Sequence, residues 1–224
     1  MSDSDVTRVF IVGIAGAIGS RLAHLLTVDG DRVDGLYRRS EQGERLAADS
    51  IRATQGDVTR LDGPSFAELL KDTDVLVFAA GAGGKGGTTA IDAIDGAAVT
   101  TTLEAARLAG VRRLVLVSVF PEAWRGLDVS DTFEHYIEVK KKADAELAAS
   151  DLDWVILRPA ALTDDAGTGR ISLSPALVHT RVTRDDVAAA LAELVHTPQI
   201  HRQILELTQG QDHIAEAVRR QIRG

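Results

Sequence analysis

The chain contains no cysteine. Disulfides, thiol nucleophiles and cysteine-bound metals are thereby excluded. Aromatic residues are scarce: two Trp, two Tyr and five Phe among 224 residues. The core must be built mainly from Ala, Val and Leu, which suits helices packed on a sheet better than a β-sandwich. Positive charge is in deficit as well. The formal net charge is −8, and Lys140-Lys141-Lys142 is a short basic cluster standing alone. That is unlike a surface that grips a polyanion, so no nucleic-acid partner is expected. No apolar run approaches the ~20 residues that cross a bilayer, so no membrane partner is expected either. Met1-Ser2-Asp3-Ser4-Asp5 is polar and acidic, unlike a secretory signal. The expectation is a cytoplasmic protein, monomeric or homodimeric, whose partner is a small molecule. The six histidines include no metal-ligand spacing. His135 and His179 are at most candidates for a pocket rim.

What the chain does have is alternation. Short apolar runs at Arg8–Val12, Arg32–Tyr37, Ile51–Gln55, Asp74–Ala80, Arg113–Val119, Trp154–Leu157 and Ile204–Leu207 read as strands. Helix-periodic segments separate or follow them: Ile18–Val28, Glu41–Ala48, a segment N-capped by Ser65 and reaching Leu70, Asp92–Ala109, Tyr136–Ser150, Asp185–His196 and Ile214–Ile222. Strands apolar on both faces, alternating with helices, predict a doubly wound α/β fold. About seven mostly parallel strands, in the order 3-2-1-4-5-6-7, would carry helices on both faces. The whole chain, 1–224, reads as one domain. The glycine-dense stretch Gly81–Gly87 is a loop, either a flexible connection or a lining of the crevice at the strand ends.

Gly13-Ile14-Ala15-Gly16-Ala17-Ile18-Gly19 joins the first strand to the first helix with G-x-x-G-x-x-G spacing. The first glycine permits a tight turn, the second lets a pyrophosphate approach the backbone, and the third lets helix pack on strand. The helix N-terminus presents free N–H groups and positive dipole to phosphate. The second strand then ends at Tyr37, where a ribose-binding carboxylate would favour NAD. Arg38 and Arg39 follow, and guanidinium groups suit a 2′-phosphate. The expected cofactor is NADP(H), ahead of NAD(H).

With these motifs the chain resembles the short-chain dehydrogenase/reductase superfamily, and within it the atypical single-domain epimerase-like branch, with a likeness to NmrA-like redox sensors. Gly56-Asp57-Val58, Ala79-Ala80-Gly81, Leu157-Arg158-Pro159 and Thr183-Arg184-Asp185-Asp186-Val187-Ala188 carry the resemblance further along the chain. It implies that the turn residues Gly13, Ala15, Gly16, Ala17, Ile18 and Gly19 hold the pyrophosphate, and that Asp57 and Val58 touch the adenine. Ala79, Ala80 and Gly81 would flank the ribose and pyrophosphate, and the segment from Arg158 would border the nicotinamide.

The family's Tyr-x-x-x-Lys pair is matched by Tyr136 and Lys140. Residues four apart share a helix face, so the ammonium could lower the phenol's pKa and let it act as acid or base. The resemblance also gives Lys140 the nicotinamide ribose. Two departures accompany the match. Asp95 stands where extended relatives carry an Asn. Ser118 is the one hydroxyl closing the fifth strand, whereas the family's Ser usually falls where Val119 and Phe120 stand. Trp124 lies in the following loop, on a path open to substrate.

These residues lead to an NAD(P)-dependent oxidoreductase or epimerase-like enzyme acting on a small carbonyl or alcohol. Tyr136, Lys140, Ser118 and Asp95 form its candidate catalytic set, and loops 120–133 and 163–181 its substrate pocket. The alternative is a non-catalytic NADP(H)-binding redox sensor.

Overall fold

The computed structural model describes residues 6–49, 51–123, 126 and 128–223. Trp124 lies outside the described residues.

The strands are β1 (Arg8–Val12), β2 (Arg32–Tyr37), β3 (Thr54–Gln55), β4 (Val75–Phe78), β5 (Arg113–Val117), β6 (Asp153–Pro159), β7 (Ala161–Thr163), β8 (Arg170–Ser174), β9 (Arg181–Thr183), β10 (Gln203–Gln209) and β11 (Asp212–His213). The helices are α1 (Ala17–Val28), α2 (Ser40–Ala48), α3 (Gly63–Leu69), α4 (Gly87–Ile91), α5 (Ala98–Ala109), α6 (Asp131–Ala148), α7 (Arg184–Val195) and α8 (Ile214–Arg219). A π-helical stretch, Asp92–Ala97, joins α4 to α5.

Nine strands form one sheet in the order β11-β8-β10-β6-β5-β4-β1-β2-β3. From β3 to β10 all neighbours are parallel. The expected seven-strand order therefore holds with β10 as its seventh member. The sheet is wider than expected because β8 and β11 add antiparallel edge strands. β8 comes from the segment read as a pocket loop. Its Arg-Ile-Ser-Leu-Ser pattern buries Ile171 and Leu173 only, the alternation of a half-covered edge. β7 and β9 pair in a separate parallel ribbon.

All four residues of β4 are buried, because helices cover both faces. Alternate side chains along each strand feed two separate cores. Val9, Ile11, Val75, Val77 and Val115 pack with Leu22, Leu26, Leu191 and Leu194 on one face. Phe10, Val12, Leu76, Phe78, Leu114 and Leu116 pack with Phe66, Ala105 and Leu147 on the other. The period of two in a pleated strand produces this division.

Two local readings change. Asp62, not Ser65, caps α3: its Oδ1 accepts from the Ser65 backbone N–H at 2.8 Å, with Pro64 in the first turn. The helix carrying Tyr136 begins earlier, at Asp131, behind the N-cap Ser130. Strand order reverses between β1 and β4. The crevice at their carboxyl ends is the usual ligand position in doubly wound sheets.

Candidate active site

A cavity of about 740 Å³ opens at that crevice. Its floor is the turn after β1. Gly13 takes φ of +89°, which favours glycine, and a Cβ there would lie 2.8 Å from Ala80 Cα on the neighbouring loop. A Cβ on Gly19 would lie 2.2 Å from the Gly13 carbonyl oxygen, so the third glycine lets α1 sit against the turn. Gly13, Ala15, Gly16, Ala17 and Ile18 line the cavity, whereas Gly19 lies behind it. Gly16 is the N-cap of α1; it supplies no side-chain cap, and the first turn contains no acid. Backbone N–H groups and helix dipole are thus left for an anion at this end. This glycine cradle with its uncapped helix start fits a dinucleotide pyrophosphate.

At one end stand Tyr37, Arg38, Gly56, Asp57 and Val58. Gln42, unremarked in the sequence, also lines the cavity, and its Oε1 accepts the backbone N–H groups of Arg38 and Arg39 at 3.1 and 2.9 Å. Arg38 makes no ion pair among the described residues. Arg39 departs from the expected role. Its Nε donates to Glu41 at 2.7 Å and its side chain does not line the cavity. Helix α2 begins at the next residue, and that turn aims Arg39 at its own helix instead of the cavity.

Ala79, Ala80 and Gly81 line the middle, followed by Ala82, Gly83 and Gly84 of the glycine-dense loop. Asp95 holds that loop: its Oδ2 accepts from the Ala82 N–H at 3.0 Å. Ser118, Tyr136 and Lys140 face the same space. Tyr136, Lys140 and Asp144 recur at every fourth position along α6 and so share one helix face. Lys140 is 2% exposed. Its Nζ donates to the Val117 carbonyl at 2.9 Å and lies 3.7 Å from Asp95 Oδ1. Burial pulls the lysine pKa down, and Asp95 and then Asp144 oppose that pull.

The phenol of Tyr136 behaves differently from the expectation. Burial, and then the negative charges of Asp95 and Asp144, raise its pKa well above the ordinary value. The ammonium of Lys140 is engaged by Val117 and Asp95 and does not reverse the effect. Arg158 also takes another role. Its Nε and Nη2 donate to Asp144 Oδ2 at 3.0 and 2.9 Å, and the cavity wall at this point is Pro159. Burial raises the pKa of Asp144, against the nearby Ser118 hydroxyl and the Arg158 charge. Ser118 faces that carboxylate without a well-formed hydrogen bond.

The remaining walls are largely apolar: Ile91, Ile94, Phe133 and Leu162, with Ser130, Thr132 and Arg184. Of the two expected pocket loops, 120–133 contributes Ser130, Thr132 and Phe133, whereas 163–181 contributes nothing to this cavity. That segment is drawn away into β8 and the sheet edge. His135 pairs with Asp92 at 2.7 Å and His179 packs edge-on against Phe120, both outside the lining. Ile94 and Asp95 sit in the π-helical stretch; such turns are frequent at functional sites. The spacing of the sequence does not distinguish this turn from an α-helix.

The sequence model of a family described as NAD(P)H-binding matches residues 13–198. An uncharacterized sugar epimerase of Bacillus subtilis, YhfK, is 32% identical over 219 residues, covering 95% of this chain and 99% of that protein. A Bacillus halodurans structure, described as a candidate NAD-dependent epimerase/dehydratase, superposes with TM-score 0.87 at 28% identity, covering 96% of this chain and 99% of that one. The anaerobilin reductase ChuY of Escherichia coli O157:H7 superposes with TM-score 0.76 at 26% identity, covering 91% and 97%. Among the described residues no helix is long and apolar enough to cross a membrane. With the glycine turn, the crevice and a family match spanning most of its length, the chain belongs to the NAD(P)H-binding family of epimerase- and oxidoreductase-like Rossmann proteins.

Proposed function

We propose that this protein is an NADP(H)-dependent oxidoreductase that reduces a small, largely apolar carbonyl compound, with Tyr136 as the proton donor. One observation carries the reading: Tyr136, Ser118 and the buried Lys140 line the same cavity as the glycine turn. When bound, the nicotinamide supplies hydride to the carbonyl carbon. The chain's own residues supply the rest. Tyr136, kept neutral by burial and by Asp95 and Asp144, holds a proton to give to the carbonyl oxygen as negative charge develops there. Ser118 offers a second hydroxyl donor to the same oxygen. Lys140 adds a buried positive charge near that oxygen, balanced by Asp95. Phe133, Ile94, Leu162 and Pro159 give the reacting end an apolar wall. Those walls favour a compact carbonyl compound over a sugar nucleotide, and an E. coli relative is named a reductase.

Arg38 at the far end supports NADP(H). It lines the cavity, and no carboxylate closes β2 to accept the 2′-hydroxyl of NAD.

The test is oxidation of NADPH, followed at the nicotinamide absorbance, with a panel of small aldehydes, ketones and α-dicarbonyl compounds. Turnover that falls at least a hundredfold in Tyr136→Phe, roughly the contribution of a positioned acid, supports the reading. Tight NADPH binding without turnover on any carbonyl would leave the redox-sensor alternative in its place.

A further inference from the structure

Arg184 opens α7 and lines the large cavity, yet neither the glycine turn nor the Tyr136–Lys140 helix accounts for it. Its position follows from the neighbouring residue. Asp185 Oδ1 accepts from Arg21 Nε on α1 at 2.5 Å, and Arg21 Nη1 donates in turn to the Ala17 carbonyl at 2.6 Å. The first turn of α7 is thereby tied to the first turn of α1. The two helix starts differ in charge. α7 carries Asp185 and Asp186 in its first turn and is capped by Thr183, whereas α1 has neither acid nor side-chain cap. An anion at this junction therefore meets the end of α1, and Arg184, the residue before Asp185, lines the same cavity as that helix start.

Arg184 already has a partner. Its Nη1 lies 2.9 Å from Asp164 Oδ1, and the two side chains are 24% and 74% exposed. The guanidinium is mostly inside and its carboxylate mostly in water, so the pair is a weak one. The stretch that follows Asp164 hangs on the same turn of α7. Gly167 N–H donates to Asp185, and the N–H groups of Thr168 and Gly169 donate to Asp186.

We infer that Arg184 is a second clamp on the cofactor's pyrophosphate, held by Asp164 in the free protein and transferred to the phosphate on binding. The inference rests on the pyrophosphate lying at the glycine turn. A diphosphate offers a planar guanidinium two-point hydrogen bonding with full charge, which a solvent-exposed carboxylate matches poorly. Asp164 is then an internal competitor, and its removal should help binding.

Isothermal calorimetry of the whole protein with NADPH, and with adenosine 2′-monophosphate, which has no pyrophosphate, tests this. Arg184→Met should weaken NADPH by about tenfold or more, the scale of a charge-assisted hydrogen bond, and leave the monophosphate unchanged. Asp164→Asn, at an exposed position, should tighten NADPH by roughly two- to fivefold, the scale of a surface ion pair. In the Arg184→Met background Asp164→Asn should do nothing. Unchanged NADPH affinity in Arg184→Met overturns the inference, including the case where only the KM of a substrate rises. Equal weakening of both ligands, or weaker NADPH binding in Asp164→Asn, overturns it too. A Gly16→Val variant separates the two levels: normal NADPH binding there removes the glycine-turn placement itself, whereas lost binding there with indifferent Arg184 variants removes the clamp alone.

Discussion

Arg158 and Asp144 form a buried ion pair one helical turn along α6 from Lys140, with Arg158 Nε and Nη2 on the same carboxylate oxygen at 3.0 and 2.9 Å. Their side chains are 17% and 6% exposed. Removing one partner strands the other charge in the core. Arg158→Met should therefore destabilise by the lower part of the ~3–5 kcal/mol range for broken buried pairs, since Arg158 keeps some contact with water. A urea or thermal melt reads the loss. The double variant Arg158→Met, Asp144→Leu should recover most of it, because no charge is left unpaired. A double variant as unstable as the single one would mean that packing, not charge, is what these residues contribute.

The glycine turn should tolerate size differently at each position. Gly16 has an ordinary φ of −78°, and an added Cβ would meet only the Gly13 carbonyl, at 3.0 Å. Gly16→Val is expected to fold and to lose dinucleotide binding. At Gly13 the positive φ and the 2.8 Å approach to Ala80 strain any side chain. Gly13→Ala should lower the melting temperature whether or not cofactor is present. Circular dichroism melts alongside calorimetry separate these outcomes.

Tyr136 should titrate late. Its folded pKa is raised by burial and by two carboxylates, so the unfolded chain releases the phenolic proton first. Stability linked to this group is fully present below the unfolded value of ~10 and declines as pH rises above it. A difference titration at the phenolate band, unmodified protein minus Tyr136→Phe, should show no ionisation of this residue below pH ~10. Carbonyl reduction should accordingly keep its proton donor through the alkaline range up to that point. A phenolate appearing near pH 7 would instead make Tyr136 a base, suited to alcohol oxidation.

Cofactor choice should follow Arg38. Its guanidinium has no ion-pair partner among the described residues, whereas Arg39 is engaged with Glu41. NADP(H) is expected to bind at least about tenfold tighter than NAD(H), from charge-assisted hydrogen bonds of roughly 1.5–3 kcal/mol each. Arg38→Ala should erase most of that preference and leave NAD affinity nearly unchanged. Arg39→Ala should have little effect. Equal affinity of the unmodified protein for both cofactors would remove Arg38 from the role.

What the sequence alone determined is whatever depends on neighbours a few residues apart. Strand–helix alternation, the strand-to-helix glycine turn and the shared face of Tyr136 and Lys140 are short-range features, and the structure contains each of them. The central parallel order was legible too, because runs apolar on both faces demand cover on both sides. Tertiary structure decided the rest. Asp95 meets Lys140, and Asp144 meets Arg158, only because strand order brings their elements together and helix rotation aims the side chains. Burial, and then these two carboxylates, turn an expected low phenol pKa into a high one, because a buried group loses its water and answers to every charge around it, not only to the lysine four residues along its helix. Arg39 turned to Glu41 and Arg184 turned into the cavity for a related reason: the sequence gives a long charged side chain its reach, and the packed neighbours choose its direction.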